Sequence, residues 1–307
     1  MRSRTRRPAL PIVTAAAAAA SLALAACGSD TLEPGGSASS AAPTVSATKD
    51  TALAGQVPEK YRSKGTLNVG TDATYPPNEY FDSDGKTIVG MDVELLTAAL
   101  GKLGLKANFQ NAGFDSLILG IKGGKYDLGI SSFTINNERK QTVSFTSYFT
   151  AGTQWVTAKG NPKKVNPDSP CGLSMSVQKG TVQVTDLQNR SKKCTGEGKQ
   201  PIKLLIQDNQ TRATLDLTSG RVDAMAADLP VSVDAVNKSG GKLELVGKNY
   251  DSAPYGVAFP KGDEAFGQAL AKAFTAMKSD GSYDKILDKY GTKAGAISTF
   301  AVNPATD

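Results

Sequence analysis

The chain has 307 residues, 21% of them charged, with 35 Lys and Arg against 29 Asp and Glu, a formal charge of +6. It contains three cysteines and no histidine, which removes the commonest general base, every Ser-His-Asp or Cys-His nucleophile arrangement and every histidine-ligated metal. Four basic and no acidic residues precede Cys27, so the chain beyond it carries 31 against 29, too even a balance to indicate a nucleic-acid partner.

Arg2, Arg4, Arg6 and Arg7 open the chain, followed by an Ala/Leu-rich run that ends Leu24-Ala25-Ala26-Cys27. This layout predicts a lipoprotein signal peptide over residues 1–26. Small side chains stand ahead of Cys27, whose thiol would carry a diacylglycerol, so the expected location is the cell membrane, lipid-anchored on its extracytoplasmic face. Pro11 and the shortness of the run argue against a spanning helix. Arg6-Arg7 also fits twin-arginine export, although Pro8-Ala9 is a poor continuation, and both export routes stay open. Gly, Ser, Ala, Thr and Pro dominate as far as about Val57, and a flexible tether is expected over residues 27–60. The remainder, about 250 residues, exceeds the usual single domain and predicts two lobes.

From Thr66 onward short apolar runs alternate with helix-length amphipathic segments. Residues 67–70 read as a strand ending at Thr71-Asp72. Gly90-Met91-Asp92 reads as a helix start, with Asp92 as N-cap and Val93, Leu95, Leu96, Ala99, Leu100 and Leu103 on one stripe. A strand over 105–109, a helix over 114–121 and a strand over 128–130 follow. After Trp155 a second set appears: strands over 173–177, 202–206 and 224–226, with helices from about Val182, Gln210 and Pro230. A strand over 255–259 returns, and helices over 265–277 and 283–287 close the fold. Such alternation builds α/β layers with a mostly parallel sheet flanked by helices. Ligands in such sheets bind beyond the carboxyl ends of strands, where Asp72, Ser131-Ser132 and Asp228 all fall. Cys171 and Cys194 remain as an even pair in an oxidising compartment, favouring a disulfide over two free thiols. Two distant cysteines are too few for zinc, so no metal and no cofactor is expected.

The segments VGTDATYPPNEY (69–80), GMDVELL (90–96), FDSLILGIKGGKYDLGISSFTINNER (114–139), QKGTVQ (178–183), GRVDAMAADLP (220–230) and YGVAFPKGD (255–263) resemble, in this order, family 3 solute-binding proteins, the polar-amino-acid receptors of ABC importers. The resemblance implies a two-lobe periplasmic-binding-protein-like fold of type II. Residues 61–157 and 253–292 would form lobe 1, residues 158–252 lobe 2 and residues 293–307 a C-terminal tail, with two hinge strands joining the lobes. It also implies a monomer whose partners are an amino acid and the permease subunits of the importer.

A free amino acid brings a carboxylate and an ammonium, and a dry cleft accepts both only if each meets an opposite charge and hydrogen bonds. Arg139 stands where the family has its carboxylate-binding arginine, whose fork meets both oxygens at once. Asp228 matches the carboxylate that receives the α-ammonium, although an aspartate before Leu-Pro could also cap the next helix. Ser132 and Thr134 match residues that support these groups, and Ser131 lines the same turn. Tyr75 and Phe114 match an aromatic pair enclosing the ligand's side chain. Asp72 matches a pocket carboxylate at its far end, favouring an amide, ammonium or guanidinium; Gln178 adds a contact. Gly180-Thr181-Val182 opens a helix whose free N–H groups favour an anion, with only the backbone of Val182 available. Asn78 and Met91 depart from the family pattern, each replacing an aromatic residue. The leading expectation is thus a receptor for a polar amino acid, with glutamine, asparagine or a basic one favoured, and not an enzyme. Two alternatives accompany it: a dehydratase-like enzyme using Asp72 or Glu79 as a pocket acid, and a ligand-sensing lipoprotein.

Overall fold

Asp50 starts the first helix: its carboxylate accepts from Leu53 N (3.0 Å), capping Thr51–Ala54 (α1). The computed structural model describes residues 48–306; the expected signal peptide, Cys27 and the first part of the tether lie outside them. The second helix, Glu59–Arg62 (α2), brings Tyr61 onto Phe266 with ring centroids 4.1 Å apart, and Ala54 and Val57 are buried. The expected tether therefore stops short of residue 60. A polar composition concealed two buried apolar side chains, Ala54 and Val57, just ahead of Tyr61.

Alternation buries Leu67 and Val69 of Thr66–Thr71 (β1) while Thr66 and Asn68 face solvent. A small antiparallel sheet follows, Thr74–Tyr75 (β2), Glu79–Phe81 (β3) and Ile88–Val89 (β4). Met91–Lys102 (α3) buries the expected stripe, but its N-cap position is Gly90, and Asp92 lies buried in the first turn. Its carboxylate is engaged elsewhere, as described below. Lys106–Asn111 (β5), Phe114–Lys122 (α4), Leu128–Gly129 (β6) and the short Asn137–Lys140 (α5) complete the first pass. A strand of 16 residues, Val143–Ala158 (β7), then runs into the second lobe. There Ser174–Gln178 (β8), Val182–Gly196 (α6), Lys203–Gln207 (β9), Gln210–Thr218 (α7), Ala224–Asp228 (β10) and Leu229–Lys238 (α8) follow. The chain returns along an 18-residue strand, Leu243–Pro260 (β11), to Glu264–Ser279 (α9) and Ser282–Lys289 (α10).

One eight-stranded sheet, ordered β5-β1-β6-β11-β7-β10-β8-β9, runs through both lobes. Its two flanks are parallel, as alternation predicted, whereas β11 and β7 are antiparallel to each other and to the flanking strands β6 and β10. Helices cover both faces. In lobe 1, α3, α9 and α10 bury one apolar cluster and α4 the other. In lobe 2, α7 and α8 cover one face and α6 the other. Trp155 and Val156 already belong to the lobe 2 clusters, so the first crossing lies before the expected boundary at 157/158. Ala151 pairs with Ala253 and Thr153 with Tyr250, with register shifts on either side of Tyr250. The expected tail packs on lobe 1: Phe300 stacks on Phe274 at 5.6 Å, and Val302 bridges Thr146.

Two local constraints are checkable. Cys171 and Cys194 form a disulfide that ties the segment before β8 to the last turn of α6, with a sequence separation of 23. Replacing both by alanine should lower stability by about 3 kcal/mol from loop-closure entropy, read as a lower urea midpoint; an unchanged midpoint would show that packing alone holds the ends. At the crossing, a Cβ on Gly152 would lie 2.5 Å from the Tyr250 carbonyl oxygen and 2.6 Å from Asn249 Oδ1. Gly152→Ala should therefore cost about 1–3 kcal/mol, measured as a fall in Tm.

Candidate functional site

Strand ends and helix starts from both lobes converge on one cleft lined by Asp72, Tyr75, Phe114, Ser131, Ser132, Thr134, Arg139, Gln178, Thr181, Val182, Gln183 and Asp228. The eleven expected residues are all brought together; Gln183 is the addition. The lining leaves a space of about 10 Å³, room for about one water.

Asp72 follows the end of β1 and is 3% exposed. Its carboxylate accepts from Thr74 Oγ1 (2.8 Å), Phe114 N (3.0 Å) and, across the cleft, Gln178 Nε2 (2.7 Å). Burial raises its pKa, opposed by these three donors. Arg139 sits in the first turn of α5, where Asn136 Oδ1 accepts from Arg139 N (2.8 Å). Its guanidinium donates to the Thr134 carbonyl (2.7 Å) and, across the cleft, to the Gly180 carbonyl (3.0 Å). It also lies over Phe114 at 5.3 Å and Phe133 at 5.9 Å, so part of the Phe114 face shelves the arginine. Burial lowers the Arg139 pKa to about 10 against the attraction of Asp228, which leaves it cationic at neutral pH.

Asp228 ends β10 and occupies the N-cap position of α8, yet its side chain makes no cap hydrogen bond. Its carboxylate accepts from Gln183 Nε2 (2.7 Å) and Tyr255 OH (2.5 Å), while its N–H donates to Tyr75 OH (3.2 Å). Tyr75 and Tyr255 come from lobe 1, so Asp228 is tied to both lobes rather than spent on its helix. Burial raises its pKa, opposed by Tyr255, Gln183, Tyr75 and Arg139. Gln183 also donates to Thr153 Oγ1 on β7 (2.9 Å). Thr181 holds the N-cap position of α6, but its hydroxyl donates to the Gln178 carbonyl (2.7 Å). The helix start thus keeps unsatisfied N–H groups, with Val182 as its first residue.

Behind the lobe 1 wall a polar network supports the serine turn. Ser131 Oγ accepts from Asp72 N (3.0 Å) and donates to Glu79 Oε1 (2.9 Å). Ser132 has φ 51°, the left-handed region, and its N–H donates to Asp92 Oδ2 (2.8 Å). Asn78 Nδ2 donates to Ser132 Oγ (2.8 Å), and Met91 Sδ accepts from Thr292 Oγ1 (2.9 Å). The two departures from the expected motif are therefore both used in packing. Glu79, named as one conceivable pocket acid, is fully buried behind Ser131 and does not line the cleft. Gln183 and Tyr255 were missed as site residues although both lie inside recognised motifs. Gln183 follows Val182 in the first turn of α6, and that position alone could have pointed to it.

The description of bacterial extracellular solute-binding proteins, family 3, matches residues 67–293. The arginine-binding protein ArgT of Corynebacterium glutamicum is 37% identical over 248 residues, covering 80% of this chain and 81% of that protein. A solved structure of an ancestral arginine-binding protein bound to arginine is 36% identical with a TM-score of 0.69, covering 74% of this chain and 98% of that one. The structure of an ancestral arginine-binding protein bound to glutamine gives 37% and 0.67 over the same shares. These relatives are binding proteins, and the fold is that of type II periplasmic binding proteins. The match runs from the first core strand to the last helix, and the chain belongs to the family 3 bacterial extracellular solute-binding proteins.

Proposed function

We propose that this protein is a lipid-anchored extracellular receptor that captures an amino acid with a guanidinium, ammonium or amide side chain, arginine foremost, and delivers it to an ABC importer. The observation that carries the reading is the placement of Arg139 and Asp228 on opposite lobes of one cleft, with Asp72 in the same lining. Arg139 meets the ligand carboxylate bidentately, and Asp228, held by Gln183 and Tyr255, receives the ammonium. Asp72 attracts a cationic or donor-rich side-chain end and repels an acidic one. Tyr75 and Phe114 enclose the stem between. Because the partners of one ligand belong to two lobes, binding favours the closed arrangement, the form presented to the permease. The arginine-binding relatives support this choice of ligand, and the glutamine-bound one supports an amide as the alternative. An enzymatic reading is weakened by the burial of Glu79, which leaves Asp72 as the acid it would need.

A thermal-shift screen of residues 28–307 against the twenty L-amino acids tests the reading first. A ligand at a thousandfold excess over its Kd stabilises by about 4 kcal/mol, so arginine should raise Tm clearly; no response to any amino acid would sink the receptor. Arg139→Ala should weaken arginine binding by about 2–5 kcal/mol in calorimetry, and unchanged affinity would remove Arg139 from the site. Asp72→Asn should shift preference from arginine toward glutamine; an unaltered ratio of the two affinities would reject the role given to Asp72. Cys27→Ala should release the protein from membranes into the medium, with retention in the membrane fraction counting against the lipid anchor.

A further inference from the structure

Glu79 on β3 and Asp92 on α3 are both 0% exposed, and neither lines the cleft that Ser131 and Ser132 line. Their carboxyls approach the same hydroxyl: Ser132 Oγ lies 3.4 Å from Glu79 Oε2 and 3.2 Å from Asp92 Oδ2. The other groups aimed at them are neutral donors, Ser131 Oγ onto Glu79, and Ser132 N and Tyr148 OH (2.6 Å) onto Asp92. The titratable groups facing the pair are Asp72 beyond β1, Tyr75 on β2 and Tyr148 on β7. Among the described residues no Lys or Arg is paired with either acid. Two ionised carboxylates so placed in a dry site would repel with no counter-charge. Asp92 Oδ1 is also buried with no hydrogen-bond partner. The two carboxyls bracket one hydroxyl, that of Ser132, so a proton kept on Glu79 would replace repulsion between neighbouring charges with a neutral donor beside a charged acceptor.

We propose that Glu79 and Asp92 share one proton and act as a pair of positioning residues that hold the Ser131–Ser132 turn in shape for the ligand. Neither touches the cleft; they act through the serines. Losing the proton turns a hydrogen bond into repulsion directly beneath Ser132, a residue already held at a positive φ. The sense of the pH dependence follows from where the proton is kept. Burial raises both acids, Asp92 to about 6 and Glu79 well above its ordinary value, where the charge of Asp92 adds to burial. The unfolded chain releases these protons in the ordinary carboxylate range, so the stabilisation is complete below that range and is lost as pH rises through the folded pair's higher values.

The part concerning ligand affinity rests on the receptor reading; the shared proton does not. The test is Tm without ligand, and arginine affinity, followed from about pH 5 to about pH 9 in the full-length protein and in Glu79→Gln and Glu79→Ala. In the unsubstituted protein Tm should fall by roughly 2–4 °C toward alkaline pH, with arginine affinity falling in parallel. Glu79→Gln keeps a donor without the charge, so both profiles should flatten, with affinity at the acid end within about twofold of the parent. Glu79→Ala should be destabilised and weaker throughout. Should Glu79→Gln not fold, Asp92→Asn carries the same test, since it keeps the acceptor for Ser132 N and turns an amide toward Glu79. Parallel Tm profiles for the parent and the amide variant would overturn the shared proton. If that profile flattens while no variant binds any amino acid, the proton stands and the receptor reading falls.

Discussion

The antiparallel pairing of β7 with β11 governs everything that meets in the cleft. Both strands cross between lobes, and residues on either side of their crossing hold opposite ends of one arrangement. Thr153 on β7 anchors Gln183, which holds one oxygen of Asp228; Tyr255 on β11 holds the other. A slip of one residue in that register would turn these side chains to the other face of the sheet and leave Asp228 buried without donors. Two of the three irregularities of the ladder flank Tyr250 and the third lies at Tyr255/Gly256; beside Tyr250, Gly152 brings the backbones closer than any side chain would permit. A regular sheet stiffens each lobe, and a short irregular stretch is left to bend between them.

Desolvation is the second organising force. Asp72, Glu79, Asp92 and Asp228 are all buried within a few residues of the cleft, with Arg139 as the nearby cation. Each acid is answered differently. Asp72 takes three neutral donors, Asp228 takes two together with the distant field of Arg139, and Glu79 and Asp92 take the hydroxyls of Ser131, Ser132 and Tyr148 with the Ser132 N–H. Direct bonds across the cleft, from Gln178 to Asp72, from Tyr255 to Asp228 and from Arg139 to the Gly180 carbonyl, let the lobes meet without stranding a buried polar group. Exposed contacts at the rim, such as Lys179 with Asp115, add little.

Much of this was legible in the chain. Apolar periodicity located the parallel strands and the helices over them, and short motifs brought eleven lining residues to one place. What escaped was set by long-range context. Fourteen of the 16 residues of β7 are buried, on both faces, so the strand lacks the alternation that marks a half-exposed one. Asp92 read as a cap because Asp before a helical stripe favours one, yet a buried tyrosine and the N–H of a strained serine claimed its carboxylate. Asp228 escaped capping duty for the same kind of reason, in favour of Tyr255 and Gln183. The start of the folded chain was misplaced because Ala54 and Val57, both buried, are invisible to average composition.

Both ends of the described chain lie on lobe 1. Asp50 N donates to the Lys102 carbonyl at the end of α3, and Ser147 N donates to the Ala301 carbonyl. Lobe 2 is an insertion, joined to the rest of the backbone by β7 and β11 alone. A load, a surface or a fused fluorophore attached at either end of the described chain therefore acts on lobe 1. A label that reports on lobe 2 must therefore be placed within it, on α7 or α8.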